Sequence, residues 1–314
     1  MKHLLVLLAV LALSNCITRV QAPIKPTEAL VFCYFKGNGE DGLHLASSRD
    51  GYTWTALKRD SSFLRPTVSK DKLMRDPCIV RGADGLFHMV WTVSWQDQGI
   101  GYASSKDLVH WSKQEFLPVM AQEPGARNCW APEITYDATT KTYLIYWATT
   151  ITGKFPETQS TEEKGYNHRI YSVSTKDFKT YTPTKLLYEP GFNVIDASIQ
   201  PDGQRYVMFL KDETREPVQK NLRVAFSNQV GGPYGKASAP ITGNYWAEGP
   251  TAVKLGPDWL VYFDKYREHR YGAVKSSDLR HWTDVSEQIK LPAGLRHGTI
   301  FRVSAKELQL LEQQ

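Results

Sequence analysis

A repeated motif constrains the fold of this chain more than any other feature of its sequence. The run Ala-Ser-Ser-Arg-Asp at 46–50 is followed by Trp54, and related runs recur with Trp111, Tyr181 and Trp282. In all four copies the aromatic residue follows the Asp by four positions. A degenerate fifth copy at 225–228 lacks both the Asp and the aromatic. Five units in the roughly 292 residues after residue 22 give about 58 residues each, the size of a propeller blade of four short strands.

The hydrophobic pattern inside each unit is that of β-strands. Segments 86–91, 143–147 and 259–263 are rich in β-branched and aromatic residues, and each follows a turn signal. A helical period appears only near the end, where 305–313 is predicted to form a short helix. In the repeated motif, the Asp is expected to cap a tight hairpin turn and the aromatic residue to pack between blades.

The two ends of the chain are predicted to share one blade. Leu30 to Tyr34 has the character of a blade's second strand, and no polar-headed first strand precedes it. The missing strand is found at 297–303. Pairing these segments closes the ring and removes an exposed sheet edge. The sequence therefore predicts an all-β, five-bladed β-propeller in which a C-terminal strand completes the first blade, with residues 23–314 forming one domain.

Residues 1–22 have the pattern of a secretory signal peptide. Lys2 precedes an apolar run from Leu4 to Leu13, and the stretch ends at Val20-Gln21-Ala22. The apolar run is about half of the roughly 20 residues that span a membrane, so no transmembrane segment is predicted. The protein is expected to be secreted or periplasmic. Lipidation at Cys16 is the alternative.

Charge and cysteine content exclude some functions. Without residues 1–22 the chain keeps 36 basic and 33 acidic residues. The resulting net charge of +3 does not indicate a protein that binds nucleic acid. Three cysteines remain, and an odd number excludes a fully paired disulfide scaffold. Cys33, Cys78 and Cys129 are therefore interpreted as buried small residues with at most one bridge, and the protein is expected to be a monomer.

Each predicted innermost strand begins with a polar residue. In a propeller these strand heads point into the axial funnel, and here they are Asp76, Glu133, Asp196, Glu248 and His297, spaced by 57, 63, 52 and 49 residues. Four acids and a His at equivalent positions would converge on one axis, where repulsion and burial drive their pKa values apart, as acid–base chemistry requires. A purely architectural acid ring neutralised by a bound cation is the alternative.

Four of these heads stand in motifs that resemble glycoside hydrolase family 43. The motifs are Arg75-Asp76-Pro77, Trp130-Ala131-Pro132-Glu133, Val194-Ile195-Asp196 and Glu248-Gly249-Pro250. The family contains five-bladed propellers that act as inverting arabinofuranosidases, xylosidases, arabinanases and exo-galactanases. Inversion uses one carboxylic acid and one basic carboxylate, roughly 6.5–9.5 Å apart.

The resemblance implies a role for each head. Asp76 matches the general base, Asp196 the carboxylate that tunes and orients the acid, and Glu248 the general acid. Glu133 replaces the more usual Asp and is expected to contact the sugar. His297 resembles an axial His that many members place beside calcium or a water cluster, so a calcium ion at the axis is expected, with His297 touching its water shell or acting as a single nitrogen ligand.

Further sugar contacts are predicted from the loops on the same face of the ring. An aromatic face can stack on a sugar ring, and Lys or Arg can bind its hydroxyl groups. The candidates are Trp95, Trp130, Phe192, Lys211, Trp246, Tyr266 and Arg267.

The expected function is release of pentose units from plant-type poly- or oligosaccharides, with an exo-acting α-L-arabinofuranosidase as the preferred activity. A β-xylosidase or exo-galactanase of the same fold is an alternative, and so is a glycan-binding propeller without catalysis. A retaining enzyme acting on fructans would need its carboxylates only about 5–5.5 Å apart, and the Glu-Gly-Pro and Trp-Ala-Pro motifs argue against it.

Overall fold

Five antiparallel sheets arranged in a ring form a five-bladed β-propeller, as the sequence predicts. The computed structural model describes residues 24–161 and 163–314. The predicted signal peptide and the alternative lipidation site at Cys16 lie outside these residues.

The strands of each blade run outward from the axis in chain order, except in blade 1. Blade 1 contains β19 (Arg296–Ser304), β1 (Glu28–Phe35), β2 (His44–Ser48) and β3 (Thr55–Ala56). Blade 2 contains β4 (Arg75–Arg81), β5 (Phe87–Thr92), β6 (Ile100–Ser105) and β7 (Glu115–Leu117). Blade 3 contains β8 (Trp130–Asp137), β9 (Thr142–Thr149), β10 (Arg169–Thr175) and β11 (Lys185–Tyr188). Blade 4 contains β12 (Val194–Asp202), β13 (Arg205–Asp212) and β14 (Asn221–Ser227). Blade 5 contains β15 (Glu248–Leu255), β16 (Asp258–Lys265), β17 (Arg270–Ser276) and β18 (Thr283–Asp284).

The ring closes in blade 1, where the first and last strands of the described chain pair. Strand β1 is antiparallel to β19, with Glu28 opposite Ser304 and Tyr34 opposite Gly298. A short helix, α1 (Ala305–Glu312), follows at once and confirms the predicted C-terminal helix. Ser304 caps it, accepting a hydrogen bond from the Glu307 amide.

The repeated motif has the structural role that its sequence indicates. The Asp50 carboxylate accepts hydrogen bonds from the backbone amides of Tyr52 and Thr53, at 2.7 and 2.8 Å. Trp54 is buried against side chains of blade 5, including Tyr262 at a ring-centroid distance of 5.8 Å. Each of the five hydrophobic clusters lies between two neighbouring blades. The motif therefore turns one blade and seals it against the next.

Blade 4 departs from the four-strand pattern, since its sheet has three strands. It is also the blade with the degenerate motif, because Gln229 stands where the other copies have Asp. The chain from 228 to 247 runs without a strand to the start of blade 5. In the described part of the chain, no helix has the length and apolarity needed to cross a membrane.

The three cysteines that the structure describes are buried and free, as expected for small core residues. Burial raises the pKa of the Cys33 thiol to about 11. Its sulfur atom lies 3.1 Å from the Pro77 carbonyl oxygen, which joins blade 1 to blade 2.

Candidate active site

Every innermost strand carries a β-bulge close to its start. In β4, for example, Arg75 pairs with Thr92 and Cys78 with Val90, so the strand has one residue more than its partner. The same one-residue excess occurs in β8, β12, β15 and β19. A bulge unpairs one residue and redirects its side chain. In each blade, the residue that directly follows the pair before the bulge occupies the equivalent position. These residues are Asp76, Ala131, Asp196, Gly249 and His297.

This register corrects the prediction that the five heads are equivalent. Asp76, Asp196 and His297 do share one level of the axis, but Glu248 precedes the equivalent residue of its blade by one position. Glu133 follows the equivalent Ala131 by two positions and is paired with Tyr146. The predicted equivalence was wrong because the motifs place the acid differently around the proline, before it in Asp-Pro and after it in Pro-Glu.

Strained backbone at the bulges holds the heads in place. Asp76 and Asp196 have φ of 51° and 53°, in the left-handed region that non-glycine residues seldom occupy. Gly249 has φ of 59°, and a Cβ atom there would lie 2.4 Å from the His297 ring. The glycine therefore lets β15 approach the imidazole, and its amide donates a hydrogen bond of 3.0 Å to the Asp196 carboxylate.

Asp76 is held as a carboxylate by partners on two neighbouring strands. The Thr92 hydroxyl donates to one oxygen at 2.8 Å, and His297 Nδ1 lies 3.3 Å from the other. Burial raises the pKa of Asp76, but the hydrogen bond and charge of His297 outweigh it and lower the pKa to about 2. Burial conversely lowers the pKa of His297, yet Asp76 and Asp196 raise it to about 9. The pair is therefore carboxylate and imidazolium at neutral pH.

Asp196 differs from Asp76 in its protonation. Burial raises the pKa of this carboxyl to about 6, and the neighbouring charges of Glu248 and Asp76 add to the increase, while His297 and Lys211 oppose it. Both carboxylates are largely buried, but among the described residues only Asp76 has a cation, His297, within ion-pair distance, whereas Asp196 binds the Gly249 amide. Asp196 therefore binds a proton far more readily than Asp76 near neutrality.

Glu248 lies in a chain of alternating charges. Lys211 Nζ donates to one of its oxygens at 3.0 Å, and Arg296 approaches the other at 3.3 Å. Arg296 Nε also binds Asp264 at 2.5 Å, and Lys211 also binds Glu213 at 2.6 Å. Glu213 in turn binds Lys220 at 2.6 Å.

This chain of charges fixes the Glu248 carboxylate from two sides. Lys211, Glu213 and Asp264 are buried or nearly so, and ion pairs in such places are rigid because their loss would leave a charge uncompensated. Burial raises the pKa of Asp264 to about 6, although Arg296 lowers it. Burial also raises the pKa of Glu213, but Lys211 and Lys220 outweigh it, and the net shift is downward.

Glu133 lies below the other acids, away from the predicted sugar site. Tyr146 donates a hydrogen bond of 3.1 Å to it, and burial raises its pKa to about 7. Together with Cys78 and Thr299 it lines a cavity of about 990 Å³ at the other end of the axis. The predicted sugar contact at Glu133 would therefore have to be made from the opposite side of the ring.

His297 does not fit as a direct ligand of a calcium ion. The Nδ1 atom of His297 faces Asp76, and an imidazolium has no lone pair for a metal. Within residues 24–161 and 163–314, no three His, Cys, Asp or Glu side chains are grouped so that they could hold an ion. Calcium at His297 stays a prediction, and no chemical step is assigned to it.

Trp95 and Trp130 form one wall above the acids. Their rings meet edge to face at a centroid distance of 5.6 Å, and the Trp130 indole donates to the Trp95 carbonyl at 3.1 Å. Trp95 is 44% exposed, which leaves ring surface free for a sugar. Arg75 lies 4.3 Å from the Trp95 ring centre and donates to Asn38 at 2.9 Å.

The other predicted contacts lie on blades 4 and 5. Lys211 is 4.7 Å from the Tyr266 ring centre, and Tyr266 is 5.8 Å from Trp246. Arg267 lies 4.6 Å from the Trp246 ring centre. Phe192 stands apart from them, since it packs against the cluster between blades 3 and 4 and lines a side cavity of about 420 Å³.

Several residues of the site were not found from the sequence. In β4, β12 and β15, the residue just before the bulge pairs with a polar residue of the second strand. These partners are Thr92, Lys211 and Asp264, respectively. Of these, only Lys211 was predicted. A polar residue at the end of an otherwise apolar second strand is the signal that could have revealed Thr92 and Asp264. Glu213 and Lys220 follow only from ion pairs within blade 4, and Arg296 follows only from its contacts with blade 5.

Comparison with known proteins gives a consistent picture. A family model described as "probable glycosyl hydrolase domain", related to glycoside hydrolase family 43, matches residues 25–309. A search of curated proteins returned no match.

Three solved structures illustrate the likeness of the fold. A thermostable family-43 glycoside hydrolase has a TM-score of 0.54 at 16% identity, over 73% of this chain and 82% of the other. An α-L-arabinofuranosidase from Lactobacillus brevis has a TM-score of 0.53 at 18% identity, over 67% and 72%. An endo-arabinase from Bacteroides thetaiotaomicron VPI-5482 has a TM-score of 0.53 at 14% identity, over 71% and 84%. At these identities the likeness shows the fold.

Proposed function

The chain belongs to this family of probable glycosyl hydrolase domains, and on that premise we propose that it is an inverting, exo-acting glycoside hydrolase that releases α-L-arabinofuranose. The observation that carries the proposal is the contrast at the funnel floor. Asp76 is held ionised by an imidazolium, while Asp196, on the same level of the axis, has its pKa raised to about 6.

In the proposed reaction Asp76 is the general base. Its carboxylate takes a proton from a water molecule, whose oxygen attacks the anomeric carbon as the bond to the leaving oxygen breaks. A carboxyl with a pKa near 2 is ionised throughout the working pH range. Thr92 and His297 hold it in one orientation.

Glu248 is the proposed general acid, and it shares a proton with Asp196. The negative charge of Glu248 is one of the causes that raise the pKa of Asp196, after its burial. The Gly249 amide binds Asp196 and directly follows Glu248 in the chain, which fixes the two acids relative to each other. Delivery of the shared proton to the leaving oxygen through Glu248 completes the reaction.

A panel of nitrophenyl glycosides tests the substrate. We expect the α-L-arabinofuranoside to be hydrolysed faster than the β-D-xylopyranoside and the β-D-galactopyranoside, in line with the activity in the name of the Lactobacillus brevis enzyme. Proton NMR should show the inverted anomer first. Binding of arabino-oligosaccharides without hydrolysis of any glycoside would instead indicate a glycan-binding propeller.

A substitution of Glu248 tests its role. Glu248→Gln should lower kcat on an oligosaccharide by about 10²–10⁴-fold, the usual size of general acid assistance. It should spare most of the rate on a dinitrophenyl glycoside, whose phenolate leaves without a proton. Equal losses on both substrates would show that Glu248 is not the acid.

A further inference from the structure

The indole of Trp246 is surrounded by cations. The Arg267 guanidinium lies 4.6 Å from its ring centre, Arg215 5.2 Å and Lys220 Nζ 5.6 Å. We call these four residues the basic patch. Trp246 and Arg215 are half-buried, Arg267 is exposed, and Lys220 is buried.

The basic patch is continuous with the acid Glu248. Trp246 precedes Glu248 by two residues, and its ring touches Tyr266. Tyr266 lies under the ammonium group of Lys211, which in turn binds Glu248 at 3.0 Å. A glycan with one sugar at Glu248 would therefore extend a neighbouring sugar toward the patch.

The cation of the patch that meets solvent most openly is Arg267. Among residues 24–161 and 163–314, no carboxylate lies within ion-pair distance of Arg267. A surplus of positive charge therefore remains where Arg267 meets solvent.

The geometry of the patch suits an anion better than a neutral sugar. A guanidinium stacked on an indole is pre-oriented by the cation–π contact, while its edge N–H groups stay free to donate. Such an edge binds a carboxylate or a sulfate with paired hydrogen bonds. The cations also cover part of the Trp246 ring that sequence reasoning assigned to sugar stacking.

We propose that the basic patch binds the carboxylate or sulfate of an acidic sugar that neighbours the cleaved one, so that the natural substrates are acidic glycans. This inference rests on the proposed function, because it names the substrate class of the same site. Acidic side chains of the glycan would then be recognised rather than merely tolerated.

Matched substrates test the proposal. An oligosaccharide carrying a uronic acid next to its arabinofuranosyl unit is compared with the same compound after reduction of its carboxyl group. A sulfated oligosaccharide and its desulfated form give the second arm. We expect KM to be about tenfold lower for one of the charged forms, the lower end of the effect of hydrogen bonds to charged groups, and to rise with added salt.

Variants localise the effect. Arg267→Gln should abolish the preference for the charged form, so that KM becomes equal for the charged and the neutral oligosaccharide. Arg280→Gln is the matched control, because Arg280 is also exposed but lies at the opposite end of strand β17. Equal KM values for charged and neutral forms in both arms would overturn the proposal.

Binding separates this proposal from the proposed function. Titration calorimetry on the Asp76→Asn variant measures the affinity for charged and neutral oligosaccharides without turnover. A preference that Arg267→Gln removes would support the basic patch even if the wild-type protein hydrolysed neither compound. Hydrolysis of neutral glycosides without any charge preference would leave the enzyme assignment standing and refute the patch.

Discussion

The two ends of the axial channel contain similar carboxyl groups in opposite states. At the upper end, Asp76 is buried beside an imidazolium, and its pKa falls to about 2. At the lower end, Glu133 is equally buried, its hydrogen-bond partner is the neutral Tyr146, and its pKa rises to about 7. Burial raises both pKa values, so the contacting partner decides the difference.

The same comparison shows that cavity size does not locate the proposed chemistry. The cavity of about 990 Å³ belongs to the lower end, where Glu133 lines it with Cys78 and Thr299. The upper end instead holds the acids, the imidazolium and the alternating chain of charges. Along an innermost strand, the two environments are only two residues apart, as Ala131 and Glu133 are in β8.

The largest effect is expected from the base at the upper end. Asp76→Asn should lower kcat/KM by about 10²–10⁴-fold on oligosaccharides and on dinitrophenyl glycosides alike, because water must be activated whichever group leaves. Steady-state rates on both substrates measure it. An Asp76→Asn variant that remained active on the dinitrophenyl glycoside would show that Asp76 is not the general base.

An intermediate effect is expected from the partner of that base. His297→Gln removes the cation that lowers the pKa of Asp76, so burial would then raise this pKa above its ordinary value of 3.8. Because the base must be ionised, the acidic limb of the kcat/KM profile should move to higher pH by one unit or more. His110→Gln is a control, since His110 is exposed and pairs with Asp107 on a hairpin turn.

Chelation of the wild-type protein tests the metal. If chelation lowered the activity of the wild-type protein and added calcium restored it, the predicted ion at His297 would be supported. The protonated imidazole predicts no response to either treatment.

The smallest effect on activity is expected at the lower end. Glu133→Gln should change kcat/KM by less than about threefold, as for a group outside the reaction. The substitution should instead change how the free energy of unfolding depends on pH. The folded-state pKa of about 7 exceeds the ordinary 4.5, so the wild type loses stability as pH rises through 7.

The Gln variant cannot ionise and should lack this loss. Thermal unfolding at pH 5 and pH 8 compares the two proteins, and the difference in Tm should be smaller for the variant. A large loss of activity in Glu133→Gln would show that the two ends of the channel are coupled.

Much of the fold could be predicted from the sequence, because the repeated motif reports a local turn in every blade. Its period fixes the number of blades, and the polar start of 297–303 identifies the strand that closes the ring. The degenerate motif at 225–228 marks the blade with three strands. These features depend on residues close together in the chain.

The candidate site was predicted less completely, because its geometry depends on bulges and on contacts between blades. Nothing in the letters Pro-Glu shows that Glu133 lies two residues below the level of Asp76. The partners of Glu248 come from blades 4 and 1, so Arg296 could not be matched with it from spacing alone. Trp246 was found, but the cations around it come from two other loops, between β13 and β14 and between β16 and β17.

The pairing of β19 with β1 also sets the order in which the site can be assembled. Arg296 and His297, which touch Glu248 and Asp76, belong to β19, the last strand of the described chain. Closing a loop of more than 260 residues has a high entropic cost and is slow compared with local pairing. Blades 2 to 5 can therefore form before the funnel is complete, and the appearance of activity during refolding would report the closure of the ring itself.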